Sequence, residues 1–443
     1  MDLLYAPAFE GAEPLNVGQG HVMQYANRAS EATVNAYRAA LEAKGFSLRF
    51  AREKCGNSFA TYASATAYVH LYYNPDTRTA RVISAPLENI ALPRFTPETG
   101  VDFGYSSLLT QAILDYYYYD ENDPNSRKDG NFGACYIVSL DDGSVLIYDG
   151  GGRWGKQDVE RIWGLIRERA TRNAEGKIVI AGWIITHEHV DHFWCMHHVL
   201  LRHGSEILLK GIYCTPISRE LLVGHSDPGD RYIESPDAMA KLRAAVGDFD
   251  LIRLHTGQIF WIRNAKIEVL CTPEDIFPEH ADRYYDFNDT TAVTRLTVNN
   301  KTFLNLGDAY HVSSRNLVGL WGNALKSDYC TLAHHGWGGC TRSLYDHVMP
   351  HLVLVPFSRR WLDRILTDAT YVSSTTGKEK LWVQWAIDRY GDFHRITQHV
   401  FRDLAEGSFD RFLLADGCNK TLDLTTGAVT NETVYNEQEG YPY

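Results

Sequence analysis

The chain reads Thr186-His187-Glu188-His189-Val190-Asp191-His192 directly after the apolar run Ile178-Val179-Ile180-Ala181-Gly182-Trp183-Ile184-Ile185. An unbroken apolar run of this length, closed by polar residues, reads as a buried strand. Three imidazoles and two carboxylates then fall between positions 187 and 192. At the end of a buried strand these groups need partners, because each unsatisfied polar group costs roughly 2–7 kcal/mol. A divalent cation satisfies several at once, since imidazole nitrogen and carboxylate oxygen both ligate zinc and its neighbours. The competing reading is a histidine-rich helix start without metal. With 18 histidines in 443 residues, this spacing rarely arises by chance.

Three further segments repeat the arrangement. Leu146-Ile147-Tyr148-Asp149-Gly150-Gly151-Gly152 closes an apolar run with an aspartate and glycines. Phe303-Leu304-Asn305-Leu306-Gly307-Asp308-Ala309 closes one with Gly-Asp, and Thr331-Leu332-Ala333-His334-His335-Gly336 closes one with paired histidines. Singly, Gly-Asp and Asp-Gly-Gly are ordinary turn sequences. Together, four clusters at the C-terminal ends of apolar runs would meet along one sheet edge.

Length and charge bound the alternatives. A chain of 443 residues suggests two domains, and a hydrophobic fraction of 44% with 22% charged residues is globular. A formal charge of −12 argues against general nucleic-acid affinity and against an anionic membrane, both of which need basic surface. It leaves a phosphate-bearing substrate open, because metal ions supply positive charge locally. Residues 1–7 lack the basic and apolar regions of a signal peptide, and no run approaches the length of a membrane span. Eight scattered cysteines without a Cys-x-x-Cys pair read as free thiols of a cytoplasmic protein. Cys195 and Cys340, near the histidine motifs, read as apolar filler, with support of the ligands as the alternative.

Residues 1–97 differ from the rest. A helix over Ala32–Lys44, capped by Gly45, precedes β-type runs at Ser47–Phe50, Ser58–Ala63, Ala67–Tyr73 and Thr79–Ser84, which predicts a small α+β domain. It concentrates no titratable residues, so no chemistry is assigned to it. Pro93–Gly100 reads as a linker, and residues 98–443 form the second unit. There, strands are expected at Ile113–Tyr118, Ala134–Leu140, Val145–Tyr148, Ile178–Ile185, Ile207–Cys214, Leu251–Leu254, Gln258–Ile262 and Ala265–Leu270. Helices are expected at Gln157–Arg172, Phe193–Leu201 and Ser235–Ala245, then at Lys378–Tyr390, with a late hairpin over Phe412–Val429. Sheets interleaved with helices predict an α/β sandwich.

From about Ser107 to Phe357 the chain resembles the metallo-β-lactamase superfamily of binuclear metal hydrolases, most specifically in its His-x-His-x-Asp-His motif. The resemblance implies an αββα sandwich with metals in the cleft between its halves. It implies His187 and His189 on the first metal, Asp191 and His192 on the second, Asp308 bridging, and Asp149 supporting the shell. His334 and His335 both fit the remaining ligand position; His335 is preferred as ligand, and His334 as a substrate or proton-transfer group. The family's third histidine on the first metal is missing, and Asn288 falls at that place, while His255 and His280 lack the expected context. One-metal occupancy therefore stays open. The Asn288-Asp289-Thr290-Thr291 sequence with His-His-Gly resembles the branch holding the hydrolase domains of competence DNA-uptake proteins and the phosphorylcholine esterases.

This resemblance implies hydrolysis by water ionised on one or two Zn2+ ions, with Mn2+ or Fe2+ as alternatives. Asp308, His334 and Asp191 would carry the catalysis. Phosphodiesters or phosphoesters are the expected small-molecule substrates. Carboxylic esters, lactones or β-lactams are the alternative, and a non-catalytic metal-binding module is a third reading. Asn288, Arg359 and Trp337 would line the substrate side, with Arg360, Trp361 and Tyr310 as further neighbours. Assembly into a homo-oligomer is compatible with the sequence.

Overall fold

Ser30 opens helix α1 (Glu31–Ala43), its hydroxyl accepting from the Thr33 amide at 3.1 Å, a cap that serine fills well. Val34, Tyr37 and Leu41 recur at helical spacing and are buried. They pack with Ala60, Val69, Leu71 and Val82 on an antiparallel sheet of six strands, ordered β1-β2-β6-β5-β4-β3. These are β1 (Glu13–Gly18), β2 (His21–Ala26), β3 (Ser47–Lys54), β4 (Asn57–Ala63), β5 (Ala67–Asn74) and β6 (Thr79–Pro86). The sequence reading lacks the first two, because Pro14 and the glycines at 18 and 20 interrupt any alternation there.

The structure is a computed structural model. It describes residues 5–18, 20–88, 90–98, 104–114, 133–152, 157–217, 236–276, 287–336, 339–356, 370–372, 378–381, 411–415 and 418–433.

The remaining strands stack as two sheets. The first is ordered β13-β12-β10-β9-β8-β7-β23-β24, with β11 also on β10. Its members are β7 (Leu108–Gln111), β8 (Tyr136–Ser139), β9 (Val145–Tyr148), β10 (Ile178–Ile184), β11 (Ile207–Leu209), β12 (Gly211–Cys214) and β13 (Asp250–Arg253). Helices α2 (Asp158–Arg169), α3 (Val190–His203) and α4 (Pro236–Val246) belong to the same half of the chain. The second sheet runs β14 (Ile259–Ile262), β15 (Ala265–Cys271), β16 (Val293–Val298), β17 (Lys301–Asn305), β18 (Tyr329–Thr331) and β19 (Leu352–Val355). Helices α5 (His311–Trp321) and α6 (Arg342–Val348) accompany it. A separate pair, β20 (Thr370–Val372) and β21 (Glu379–Leu381), precedes β22 (Phe412–Leu414), which completes the second sheet beside β19. The hairpin of β23 (Cys418–Asp423) and β24 (Val429–Thr433) joins the first sheet along β7.

Three apolar layers hold this together. Ile162, Trp163, Phe193, Met196 and Leu242 of α2, α3 and α4 cover the outer face of the first sheet. Tyr136, Tyr148, Ile184, Phe260, Leu296 and Phe303 fill the space between the sheets. Leu317, Trp321, Leu344 and Tyr345 of α5 and α6 cover the second sheet. The result is the expected αββα sandwich.

Three local expectations are corrected. The strand expected at Ile113–Tyr118 lies at Leu108–Gln111, where it pairs with both β8 and β23; residues 115–118 lie outside those described. Glu379–Leu381, read as helix, pairs antiparallel with Thr370–Val372, so strand partnership overrides local helix propensity. Phe412–Leu414 is not a hairpin arm but a parallel neighbour of β19.

The N-terminal sheet meets the sandwich through apolar and polar contacts. Phe59 stacks on Trp321 with ring centroids 5.5 Å apart. Beside it runs a buried chain: His21 Nε2 to Tyr68 OH at 2.7 Å, Tyr68 OH to His255 Nε2 at 2.7 Å, and His255 Nδ1 to Glu274 at 3.0 Å. Arg253 donates to Glu274 at 3.2 Å, Arg81 pairs with Asp275, and His70 Nε2 reaches the Thr256 carbonyl at 2.9 Å.

Candidate metal centre

The four strand-end clusters converge. Asp149 follows β9, the histidine motif follows β10, Gly307-Asp308 follows β17, and the histidine pair follows β18. Asp149, Gly307, His334 and His335 all have positive φ, between 47° and 53°. For side-chain-bearing residues that conformation costs about 1–3 kcal/mol and is kept where surrounding structure enforces it. Gly307 is required sterically as well: a Cβ there would come within 2.9 Å of Thr186 Cβ and Thr291 Cγ2.

Two groups of ligand atoms result, each within 4.8 Å of one another: Asp191, His192, Asp308 and His335, and His187, His189 and Asp308. His335 Nε2 lies 3.1 Å from Asp191 Oδ2 and 3.5 Å from Asp308 Oδ1. His192 Nε2 lies 3.2 Å from Asp308 Oδ1. His187 Nε2 stands 3.0 Å from His189 Nδ1 and 3.7 Å from Asp308 Oδ2. Asp308 is thus common to both groups. Asp149 sits behind them, taking His192 Nδ1 at 2.9 Å and the Thr186 amide at 2.9 Å.

The electrostatics suit a cation. Burial, with His192 beside it, pushes the His187 imidazole well below its ordinary value, so it stays neutral, as a metal ligand must. Burial opposes charge on His192, but Asp308, Asp149 and Asp191 outweigh it and raise that imidazole well above its usual range. His335 is raised to about 9 against the pull of burial, by Asp308 and by hydrogen bonding to Asp191. Burial would raise the Asp308 carboxyl, yet His192 and His335 hold it well below the carboxylate range. Without a cation, protons on two imidazoles offset only part of the charge of three buried carboxylates; metal ions displace those protons and supply more positive charge. His192 Nε2 and Asp308 Oδ1, both buried, approach without normal hydrogen-bond geometry, as converging ligand atoms do. Imidazole with carboxylate fits zinc, manganese or iron.

His334 points elsewhere. Its Nε2 meets the Asn288 side-chain amide at 3.2 Å, and its ring lies against Tyr310 with centroids 4.8 Å apart. Asn288, expected at the place of the missing histidine, is therefore in contact with the first histidine of the pair's turn. His255 belongs to the contact with the N-terminal sheet. His280, Trp337, Arg359, Arg360 and Trp361 lie outside the described residues. Cys195 and Cys340 donate to the Gly152 and Ala309 carbonyls, and none of the eight cysteines is in a disulfide. Sequence reasoning missed Thr186, whose Oγ1 is 3.0 Å from both Asp149 oxygens and 3.1 Å from His187 Nδ1. Its only signal was its place before the first histidine.

The sequence model of the metallo-β-lactamase superfamily matches residues 129–250, which include the histidine motif. This part of the chain is similar in sequence to that superfamily. Solved structures of similar shape include the metallo-β-lactamase fold protein YhfI from Bacillus subtilis, at 12% identity over 57% of this chain and 86% of that one, TM-score 0.32. CmlA, a diiron β-hydroxylase from Streptomyces venezuelae, is 12% identical over 72% of this chain and 54% of its own length, TM-score 0.37. Zn2+-bound PqqB from Methylobacterium extorquens is 11% identical over 51% and 72%, TM-score 0.33. No curated protein sequence matches. Among the described residues no helix is long and apolar enough to cross a membrane.

Proposed function

We propose that the protein is a metal-dependent hydrolase of phosphodiester or phosphoester bonds. The observation that carries this reading is the divided histidine pair. One left-handed turn sends His335 to Asp191 and Asp308, while His334 stays 6.3 Å away, centroid to centroid, held by Asn288 and Tyr310. A second imidazole beside a ligand cluster is placed to serve a leaving group.

His187, His189, Asp191, His192, Asp308 and His335 would hold one or two cations, Zn2+ first, with Mn2+ or Fe2+ as alternatives. Bound there, the cations would acidify a water molecule and neutralise charge developing on the substrate. Asp308, shared by both groups, positions the nucleophile, and Asp191 orients His335. The Asn288 amide donates to His334 Nε2, which leaves the proton of the neutral ring on Nδ1. From there it can donate a hydrogen bond that stabilises charge developing on the departing oxygen. Arg359 and Trp337 would line the substrate side. The His-His-Gly branch of the superfamily favours phosphorus over carbonyl substrates.

The surrounding assignments belong to the same proposal. Residues 1–97 and 98–443 act as two units, the second carrying the chemistry. The substrate is a small molecule, the free thiols fit the cytoplasm, and neither nucleic acid nor membrane is a general partner.

The test is a panel of chromogenic phosphodiester, phosphomonoester, lactone and cephalosporin substrates with Zn2+ or Mn2+. The phosphodiester should turn over fastest, and His334→Ala should lower that kcat by about 10²–10⁴-fold. Faster cephalosporin or lactone turnover in the wild type, or intact phosphodiester cleavage in His334→Ala, overturns the proposal.

A further inference from the structure

Thr186 stands where three of the four strand ends meet, beside Asp149, the histidine motif and Gly307. Its carbonyl accepts the Ala292 amide at 2.8 Å, and its own amide donates to Asp149 Oδ1 at 2.9 Å. The Gly307 turn closes over its Cβ, so closely that no larger residue fits there. Backbone and side chain are therefore fixed together, and Thr186 is buried at 1% exposure.

Its hydroxyl has one proton and two lone pairs to distribute. Both carboxylate oxygens of Asp149 lie 3.0 Å away and can only accept, because they already take the Thr186 amide and His192 Nδ1. The hydroxyl proton must go to Asp149. The hydroxyl oxygen then faces His187 Nδ1 at 3.1 Å as an acceptor, so that nitrogen carries the ring proton. His187 Nε2 is left with its lone pair directed at His189 Nδ1 and Asp308. On the other side His192 Nδ1 lies 3.4 Å from the Thr186 hydroxyl but only 2.9 Å from Asp149 Oδ2, so it donates to the carboxylate directly and turns Nε2 towards Asp308.

We infer that Thr186 is a positioning residue that extends the single carboxylate of Asp149 to the first half-site, so that Asp149 orients His192 directly and His187 through this hydroxyl. The two half-sites share one buried charge and differ in how they reach it. The inference rests on the metal-binding part of the proposed function.

The consequence separates two variants. Thr186→Val keeps the branched shape under Gly307 and removes only the hydroxyl; Asp149→Asn removes the shared charge. Loss of an outer partner of a metal-bound histidine costs about 10–100-fold in affinity. In calorimetric Co2+ titrations, Thr186→Val should weaken the His187 half-site by about that factor and spare the other. Asp149→Asn should weaken both, and Thr186→Ser, which restores the hydroxyl, should bind as wild type. A second measurement needs no metal. Long-range ¹H–¹⁵N correlation spectra of the metal-free protein should show His187 protonated at Nδ1 in the wild type and Thr186→Ser, with that preference lost in Thr186→Val. A wild-type His187 protonated at Nε2, or a Thr186→Val protein with unchanged affinities and tautomer, overturns the inference. Absence of Co2+ uptake by the wild type would instead count against the metal-binding proposal, and the tautomer would still decide the role of Thr186.

Discussion

Replacing Glu274 by Gln should be among the most damaging single changes outside the metal centre. The carboxylate is 2% exposed and takes hydrogen bonds from His255 at 3.0 and 3.1 Å, from Arg253 at 3.2 Å and from the Thr272 hydroxyl at 3.2 Å. Burial alone would raise its carboxyl, but His255 and Arg253 hold it far below the usual range. The amide would leave the Arg253 guanidinium, itself 2% exposed, without an opposite charge. Removing one partner of a buried pair costs about 3–5 kcal/mol, roughly a fifth or more of a stability on the order of 5–15 kcal/mol. Arg342→Ala supplies the contrast: its partner Asp346 is 2.6 Å away, but the two side chains are 44% and 52% exposed, which limits the loss to about 0.5 kcal/mol. Urea unfolding at pH 7.5 in chelator, followed by tryptophan fluorescence and circular dichroism, measures both. A Glu274→Gln loss below about 1 kcal/mol, within the range of surface pairs, would show that this network does not hold the two parts together.

Two further outcomes follow from the same reasoning. His70, buried between Thr61 and the Thr256 carbonyl, is pushed down to about 3 by burial and by the stacked His255. The folded protein thus keeps it neutral while the unfolded chain protonates it near pH 6.5. Its contribution is complete above that pH and falls by about 1.4 kcal/mol per unit as pH drops toward the folded value. The urea midpoint should fall between pH 6.5 and 5.5, and His70→Asn should flatten that slope; an unchanged slope refutes the assignment. Asp308→Asn should lower kcat by about 100-fold or more, since an amide cannot present the same charge to both half-sites. Metal analysis should still find an ion at His187 and His189, and equal turnover at equal metal loading would remove Asp308 from the mechanism.

What was legible in the sequence was the chemistry that a short segment carries by itself. His187, His189, Asp191 and His192 lie within one strand end and one helix start, so their spacing fixes their meeting. The Gly-Asp and Asp-Gly-Gly turns were readable because Gly307 must admit Thr186 and Thr291, a need that glycine alone answers. Thr186 was not readable, since a threonine before a motif has no special composition. Its role arises only when Asp149, 37 residues away, presents two oxygens to it. The buried chain from His21 to Glu274 was hidden for the same reason: Tyr68 and His255 are 187 residues apart, and no periodicity links them.

This difference in range separates the metal centre from the substrate. Ligand chemistry is set by residue type, and imidazoles and carboxylates at strand ends declare it. A substrate is selected by the wall around the reacting atoms, and in the site we propose that wall is assembled from distant pieces. Asn288, Tyr310 and His334 enter it from three separate turns, and only the folded chain brings Asn288 onto His334. The orientation of His334 then depends on a left-handed backbone, φ +48, that its neighbours must impose. A histidine pair in sequence reads as two equivalent ligands; the turn makes them unequal, giving His335 to Asp191 and Asp308 and His334 to Asn288 and Tyr310.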